Sequence, residues 1–218
     1  MGRTALRLLF AAVALLAAVL GFGLLLTGPL ADTPLGRWDI AVPRYFVDRR
    51  QGGDISQSLL ITSLAATPVV VAFTAVLALL LRWVLGRWRE SMFLVVTVVG
   101  EVSIFLITAA TVARQRPHVM ALDVAPPTSS YPSGHSAAAT AFYGASAVLV
   151  AHAATSRGWR LAAVTIAVLV AVGVGVSRVY RGLHHPSDVM AGWLLGGVWL
   201  AVCARLLLPS RPPGQRRK

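Results

Sequence analysis

His184 and Asp188 stand four residues apart, and His184 follows Arg178 by six, within the segment Ser177 to Asp188. An imidazole, a carboxylate and a guanidinium so close together outline a reaction centre for an anion. With Pro186 opening a helix, positions 184 and 188 share one face. The carboxylate is then expected to accept the near-nitrogen proton of His184 and leave the far nitrogen as a nucleophile. A His-Pro pair that only caps a helix is the plainer alternative. Ser133, Gly134 and His135 form a second cluster at the start of an apolar stretch. Free backbone N–H groups and the positive end of a helix dipole attract anions there, and Gly134 permits close backbone approach. For that tripeptide alone, N-capping by Ser133 with Gly134 as a turn residue is the simpler explanation. Arg116 and Arg178 add guanidinium forks that match phosphate oxygens as lysine would not.

The elements that must position these residues are membrane spans. Of the 218 residues 56% are hydrophobic and 13% charged, and the mean hydropathy is +0.72. These values place the chain among integral membrane proteins. Nearly charge-free stretches run from Leu8 to Ala31, Ile55 to Leu81, Ser91 to Ala113, Ser133 to Ser156, Leu161 to Ser177 and Val189 to Ala204. The expected fold is all-α, a polytopic bundle of six transmembrane helices. It forms one membrane domain over residues 1–218, with the candidate residues inside a core of about 91–208. The first stretch reads as a retained span and not a cleaved signal peptide, because its apolar run is long and Pro29, Leu30 and Ala31 make a poor cleavage site. Residues Asp32 to Asp54, with Pro34, Trp38, Pro43, Tyr45 and Phe46, read as an interfacial loop lying on the outer leaflet.

Charge asymmetry sets the orientation. If spans alternate, Arg3, Arg7, Arg82, Arg87, Arg89, Arg157, Arg160, Arg205 and the tail from Arg211 to Lys218 gather on one side, opposed only by Glu90. That side is expected to be cytoplasmic, with both termini inside. Arg114, Arg116, Ser133, His135, Arg178, His184 and Asp188 then meet at the extracytoplasmic face. The net charge of +12 does not indicate nucleic acid, because the basic residues flank spans and form no single patch. Arg114 and Arg181 have lipid headgroups as their plainer partners. Cys203, alone in the last span, forms no intrachain disulfide. Glu101 falls near the middle of the third span and is expected to face the bundle interior beside a hydrogen-bonding Ser, Thr or Trp. His185 reads as a residue behind the site, His118 as a neighbour of substrate, His152 as interfacial on the opposite side, and Asp123 and Tyr131 as rim residues. No metal-ligand spacing is present, and no cofactor is expected.

The chain resembles the type-2 phosphatidic acid phosphatase family of membrane lipid phosphatases. The family signature KxxxxxxRP, PSGH and SRxxxxxHxxxD is matched in order and spacing by Arg116 and Pro117, by Pro132 to His135, and by Ser177, Arg178, His184 and Asp188. One position departs: the signature lysine falls on Ala109, and Arg114 or Arg181 could supply the missing charge. The resemblance implies a six-helix bundle with its site at the outer face. It also implies a metal-independent reaction through a phosphohistidine, with His184 as nucleophile, Asp188 as its partner, His135 as acid and base, and Arg116, Ser133, Gly134 and Arg178 holding phosphate. Arg114, Arg181 and Tyr131 are auxiliary candidates. The expected partners are the bilayer and a lipid phosphate or diphosphate, with polyprenyl diphosphate, phosphatidic acid, phosphatidylglycerol phosphate and diacylglycerol diphosphate as candidates. A bacterial inner membrane fits the composition. A lipid phosphotransferase using the same intermediate, and a catalytically weak lipid-binding or transport protein, stay open as alternatives. The sequence does not give the oligomeric state.

Overall fold

The structure, a computed structural model, describes residues 2–50, 52–125 and 127–209. Among these residues the chain is all-helical: α1 Gly2–Thr27, α2 Pro34–Arg49, α3 Gly52–Ser63, α4 Thr67–Leu85, α5 Arg89–Thr111, α6 Gly134–Ala153, α7 Arg157–Tyr180 and α8 Pro186–Leu207. Six of these, α1 and α4 to α8, are long and apolar enough to cross a membrane. Exposed apolar side chains such as Phe10, Leu79, Trp83 and Leu169 cover their outer faces, as a hydrocarbon solvent requires. The basic tail from Arg211 to Lys218 and Pro126 lie outside the described residues.

Two sequence expectations need correction. The apolar run from Ile55 to Leu81 is not one span but two helices, α3 and α4, separated at Leu64 to Ala66. Pro68 lies in the first turn of α4, where its missing N–H costs nothing, and it could not have continued a helix from α3. The segment between the first two spans is not a loop either. Pro34 sits at the start of α2, which buries Gly36, Asp39 and Pro43 on one stripe and exposes Trp38, Ile40 and Tyr45.

Helix α6 lies at the centre, against α5, α7 and α8. Small residues set its approach to α8. A Cβ added at Gly192 would stand 2.5 Å from the Ser133 carbonyl oxygen, and one at Gly196 2.6 Å from that of Ala137. This small-residue stripe lets two backbones pack where side chains would hold them apart. On the other side of the bundle, the Trp199 indole covers Gly100 and donates to the Val96 carbonyl at 3.2 Å.

The end of α5, the start of α6, the end of α7 and the start of α8 converge at one end of the bundle. Backbone bonds tie them there. Ser133 N donates to Asp188 O at 2.9 Å, Ser130 N to Arg114 O at 3.0 Å, and Leu122 N to Arg181 O at 3.0 Å. Arg50, just past α2, clamps the same end by donating to the carbonyls of Tyr180 at 2.7 Å and Met120 at 2.6 Å.

Candidate active site

The first turn of α8 carries Asp188 and fixes its carboxylate. His185 is the N-cap, Pro186 follows, and Asp188 is the third helical residue. Its Oδ2 accepts the His185 N–H at 2.8 Å, satisfying a donor that the helix itself cannot. Its Oδ1 accepts from Arg114 Nη1.

His184 stands just before that turn, 5% exposed. Its Nδ1 lies 2.7 Å from the Ser130 carbonyl oxygen and 3.8 Å from Asp188 Oδ2. The expectation that Asp188 accepts the near-nitrogen proton is therefore corrected. His184 precedes the helix, so the i, i+4 geometry of a regular helix does not apply, and the carboxylate is already committed to His185 and Arg114. A carbonyl can only accept, so Nδ1 carries the proton and Nε2 keeps its lone pair. Asp188 acts on the ring through its charge. Burial pushes the His184 pKa below the ordinary value of 6.5; Arg178 and Arg116 add to this, and Asp188 opposes it.

Ser133 caps α6, its Oγ accepting from Ser136 N at 3.4 Å and from Ser136 Oγ at 2.9 Å. Gly134 does permit close approach, but of Phe105: a Cβ there would sit 2.7 Å from that ring. Half-buried His135 follows in the first turn, within the electrostatic reach of Arg178, His184, Asp123 and Arg116.

The two guanidinium groups share a distinctive state. Arg116 donates through Nη1 to Leu183 O at 2.8 Å, and burial lowers its pKa. Arg178 donates through Nη1 to Thr62 Oγ1 at 3.2 Å and has Asp123 Oδ2 at 3.8 Å. In both, Nε is buried and has no hydrogen-bond partner among the described residues. An unpaired buried N–H on a cation is costly, and a bound anion would satisfy such a donor.

The auxiliary candidates are placed differently from expectation. Arg114, 9% exposed, is held between Asp188 and Asp39, the latter at 2.7 Å. Its guanidinium is buried and committed to two carboxylates, which leaves it no free charge to offer in place of the lysine absent at Ala109. Arg181 forms a two-pronged pair with Asp123 and donates to Ser58 Oγ at 2.8 Å, so it too is taken. Arg181 lowers the Asp123 pKa. Tyr131 is not on the rim: it is fully buried, donates to Val19 O at 2.9 Å, and has its pKa raised by burial. His185 lies behind the site, its Nδ1 3.1 Å from Asp39 O, while exposed His118 pairs with Gln115 at 3.2 Å. His152 is exposed at the far end of α6. Glu101 is fully buried, but both carboxyl oxygens lack a partner among the described residues. The hydroxyls nearest to it in sequence are spent on their own helix, Ser103 on Val99 O at 2.8 Å and Thr97 on Phe93 O at 2.7 Å.

Three participants escaped the sequence reading: the Ser130 carbonyl, Thr62 and Asp39. Asp39 is 1% exposed, and its Oδ1 accepts Ser187 N at 2.9 Å. Its Oδ2 accepts Ser187 Oγ at 2.5 Å and Arg114 Nη2 at 2.7 Å. Its signal was an aspartate on the same stripe as Gly36 and Pro43 in an amphipathic segment.

The sequence profile of the PAP2 superfamily matches residues 90–211. An undecaprenyl-diphosphatase from Sulfolobus acidocaldarius is 37% identical over 114 residues, 50% of this chain and 48% of that protein. A lipid A 1-phosphatase from Rhizobium etli is 36% identical over 78 residues, covering 36% of this chain and 29% of the relative. A phosphatidylglycerophosphatase B from Bacillus subtilis is 43% identical over 68 residues, 31% of this chain and 34% of its own length. The chain thus matches half or less of the length of these curated relatives. The crystal structure of a transmembrane PAP2-type phosphatidylglycerolphosphate phosphatase from Bacillus subtilis superposes with a TM-score of 0.77. The identity is 24%, with 87% of this chain and 94% of that one covered, a likeness of fold.

Proposed function

Because the chain belongs to the PAP2 superfamily, we propose that it is a membrane lipid phosphatase, hydrolysing a phosphate or diphosphate on a hydrophobic tail through a phosphohistidine. The observation that carries this reading is the pair of buried, unpartnered Nε donors on Arg116 and Arg178, beside a His184 ring whose Nε2 is free to attack. The names of the relatives support lipid-linked phosphate as the substrate class.

In the first step His184 Nε2 attacks phosphorus in line and the bond from phosphorus to the lipid oxygen breaks, with His135 donating a proton to that oxygen. The Nδ1 proton stays on the ring, donated to the Ser130 carbonyl, and Asp188 stabilises the positive ring. In the second step His135 takes a proton from water, whose oxygen attacks phosphorus. The phosphorus–nitrogen bond breaks, releasing inorganic phosphate and restoring neutral His184. Arg116, Arg178 and the first N–H groups of α6 hold the equatorial oxygens, so charge is met by protein groups without a metal. The positive-inside distribution of arginines supports cytoplasmic termini and an extracytoplasmic site.

The test is phosphate release from phosphatidic acid, phosphatidylglycerol phosphate, diacylglycerol diphosphate and a polyprenyl diphosphate in detergent with excess chelator. The wild type is expected to release phosphate from at least one, while His184→Ala and His135→Ala fall to background. Activity that returned only with added divalent metal would overturn the metal-free mechanism, and phosphate appearing on an added alcohol in place of water would make the protein a transferase.

A further inference from the structure

We propose that Asp39, on a helix outside the six apolar spans, is a positioning residue for the reaction, holding Arg114 and the first turn of α8 so that Asp188 stays aligned with His184. This inference rests on the phosphatase reading above. Asp39 reaches the site from two directions. Its Oδ1 accepts the Ser187 N–H at 2.9 Å, one of the initial donors that α8 cannot satisfy internally, so Asp39 caps that helix from another element. Its Oδ2 accepts Ser187 Oγ at 2.5 Å and Arg114 Nη2 at 2.7 Å, and the same guanidinium donates through Nη1 to Asp188.

The charge arithmetic explains why a second carboxylate is needed. Asp188 with Arg114 alone would be a neutral pair, with little attraction left for a positive ring. Asp39, Arg114 and Asp188 together sum to minus one, which leaves the charge that a forming imidazolium needs. Asp39 is 1% exposed, and an unpaired carboxylate would not be kept there. It lies on the inner stripe of α2, beside Gly36 and Pro43, while Trp38, Ile40 and Tyr45 on the same helix are exposed. The segment read from sequence as an interfacial loop is thus a helix that supplies a carboxylate to the first turn of α8.

The experiment compares wild type, Asp39→Asn, Asp39→Glu, Arg114→Gln and the Asp39→Asn/Arg114→Gln double variant as full chains in nanodiscs of fixed lipid composition. It measures kcat and KM for phosphate release from phosphatidic acid or whichever substrate of the panel turns over. It also follows the titration of His184 by nitrogen-15 NMR with His135→Ala as an assignment control. Asp39→Asn is expected to lower kcat about 10- to 100-fold, the scale of a misplaced catalytic group, with KM changed less than about twofold. Asp39→Glu should recover part of the loss, and the double variant should be no slower than Arg114→Gln alone. The His184 titration should move to lower pH in Asp39→Asn, because one negative charge is gone from the cluster of Asp39, Arg114 and Asp188. Unchanged kcat, additive losses in the double variant, or an unmoved His184 titration would each overturn the proposal. Should Asp39→Asn not fold, Ser187→Ala, which removes one of the bonds to Asp39, must still lower kcat. A wild type inert on every lipid phosphate would defeat the phosphatase reading, and the His184 titration alone would then decide the role of Asp39.

Discussion

The Nδ1 of His184 lies 2.7 Å from the carbonyl oxygen of Ser130, so the loop before α6 fixes the ring tautomer and the aspartate four residues away does not. In a triad whose carboxylate holds the tautomer, amide replacement costs about 10⁴ in kcat. Here Asp188→Asn should cost less, about 10²-fold, because the ring keeps its carbonyl partner and loses only a nearby charge. His184→Gln should leave no measurable turnover. Phosphate release from the best lipid of the panel compares the two; equal losses would return the orienting role to Asp188.

Burial lowers the His184 pKa below the ordinary 6.5. The protonated ring has no lone pair to attack with, and it accumulates only as pH falls through that lowered value. The acid limb of kcat/KM, which reports the free enzyme, should therefore lie below pH 6.5. In Asp188→Asn the limb should move lower still, since the charge that opposes burial is removed. A pH profile from roughly pH 4.5 to 8 checks both; a limb centred above 6.5 would contradict the assignment.

Ala109 is half-buried in the last turn of α5, one turn beyond Phe105 on the same helix face. Phe105 packs on Gly134, so a longer side chain at 109 would project toward the start of α6. Arg114 does not fill this role, being bound to Asp39 and Asp188. Ala109→Lys should place a third cation by the phosphate and lower KM for a lipid phosphate about 10-fold, on the scale of one charge-assisted hydrogen bond. Unchanged KM would mean that the position does not reach the substrate.

Residues 116, 133, 135, 178, 184 and 188 were legible because each sits in a short segment at a span end, where local spacing and alternating topology bring them to one place. The break between α3 and α4 was not, since hydropathy across Ile55 to Leu81 hides Pro68; the missing proline N–H was the available signal. Arg114 and Arg181 could not be assigned from sequence, because a guanidinium binds a carboxylate as readily as a phosphate. Their partners, Asp39 and Asp123, stand 75 and 58 residues away. The Ser130 carbonyl was invisible in principle, since every residue has one.

The alignment of α6 with α8 depends on missing side chains. A Cβ at Gly192 would meet the Ser133 carbonyl at 2.5 Å, a backbone atom that moves only if the helix moves, whereas at Gly197 the nearest atom is 3.9 Å away. Gly192→Ala should therefore destabilise the protein by about 1 to 3 kcal/mol and, by shifting His135 relative to Asp188, lower kcat about 10²-fold. Gly197→Ala should be silent or slightly stabilising. Thermal unfolding in detergent together with phosphate release tests the pair.

Glu101 stands ten residues before the end of α5, about 15 Å along the helix at the standard rise. Its carboxyl group is buried and unpartnered among the described residues, so it forgoes hydrogen bonds in the folded state and gains none in return. Replacing it by methionine removes that cost at similar volume and should raise stability by about 2 kcal/mol, read as a higher unfolding temperature. Phosphate release should stay within about twofold of wild type, because the side chain lies too far from the converging ends of α5 to α8 to touch the reacting groups. A variant that gained stability and lost turnover would instead show that the carboxyl is retained for the reaction, and the missing hydrogen bond would then mark a group held ready to take or give a proton.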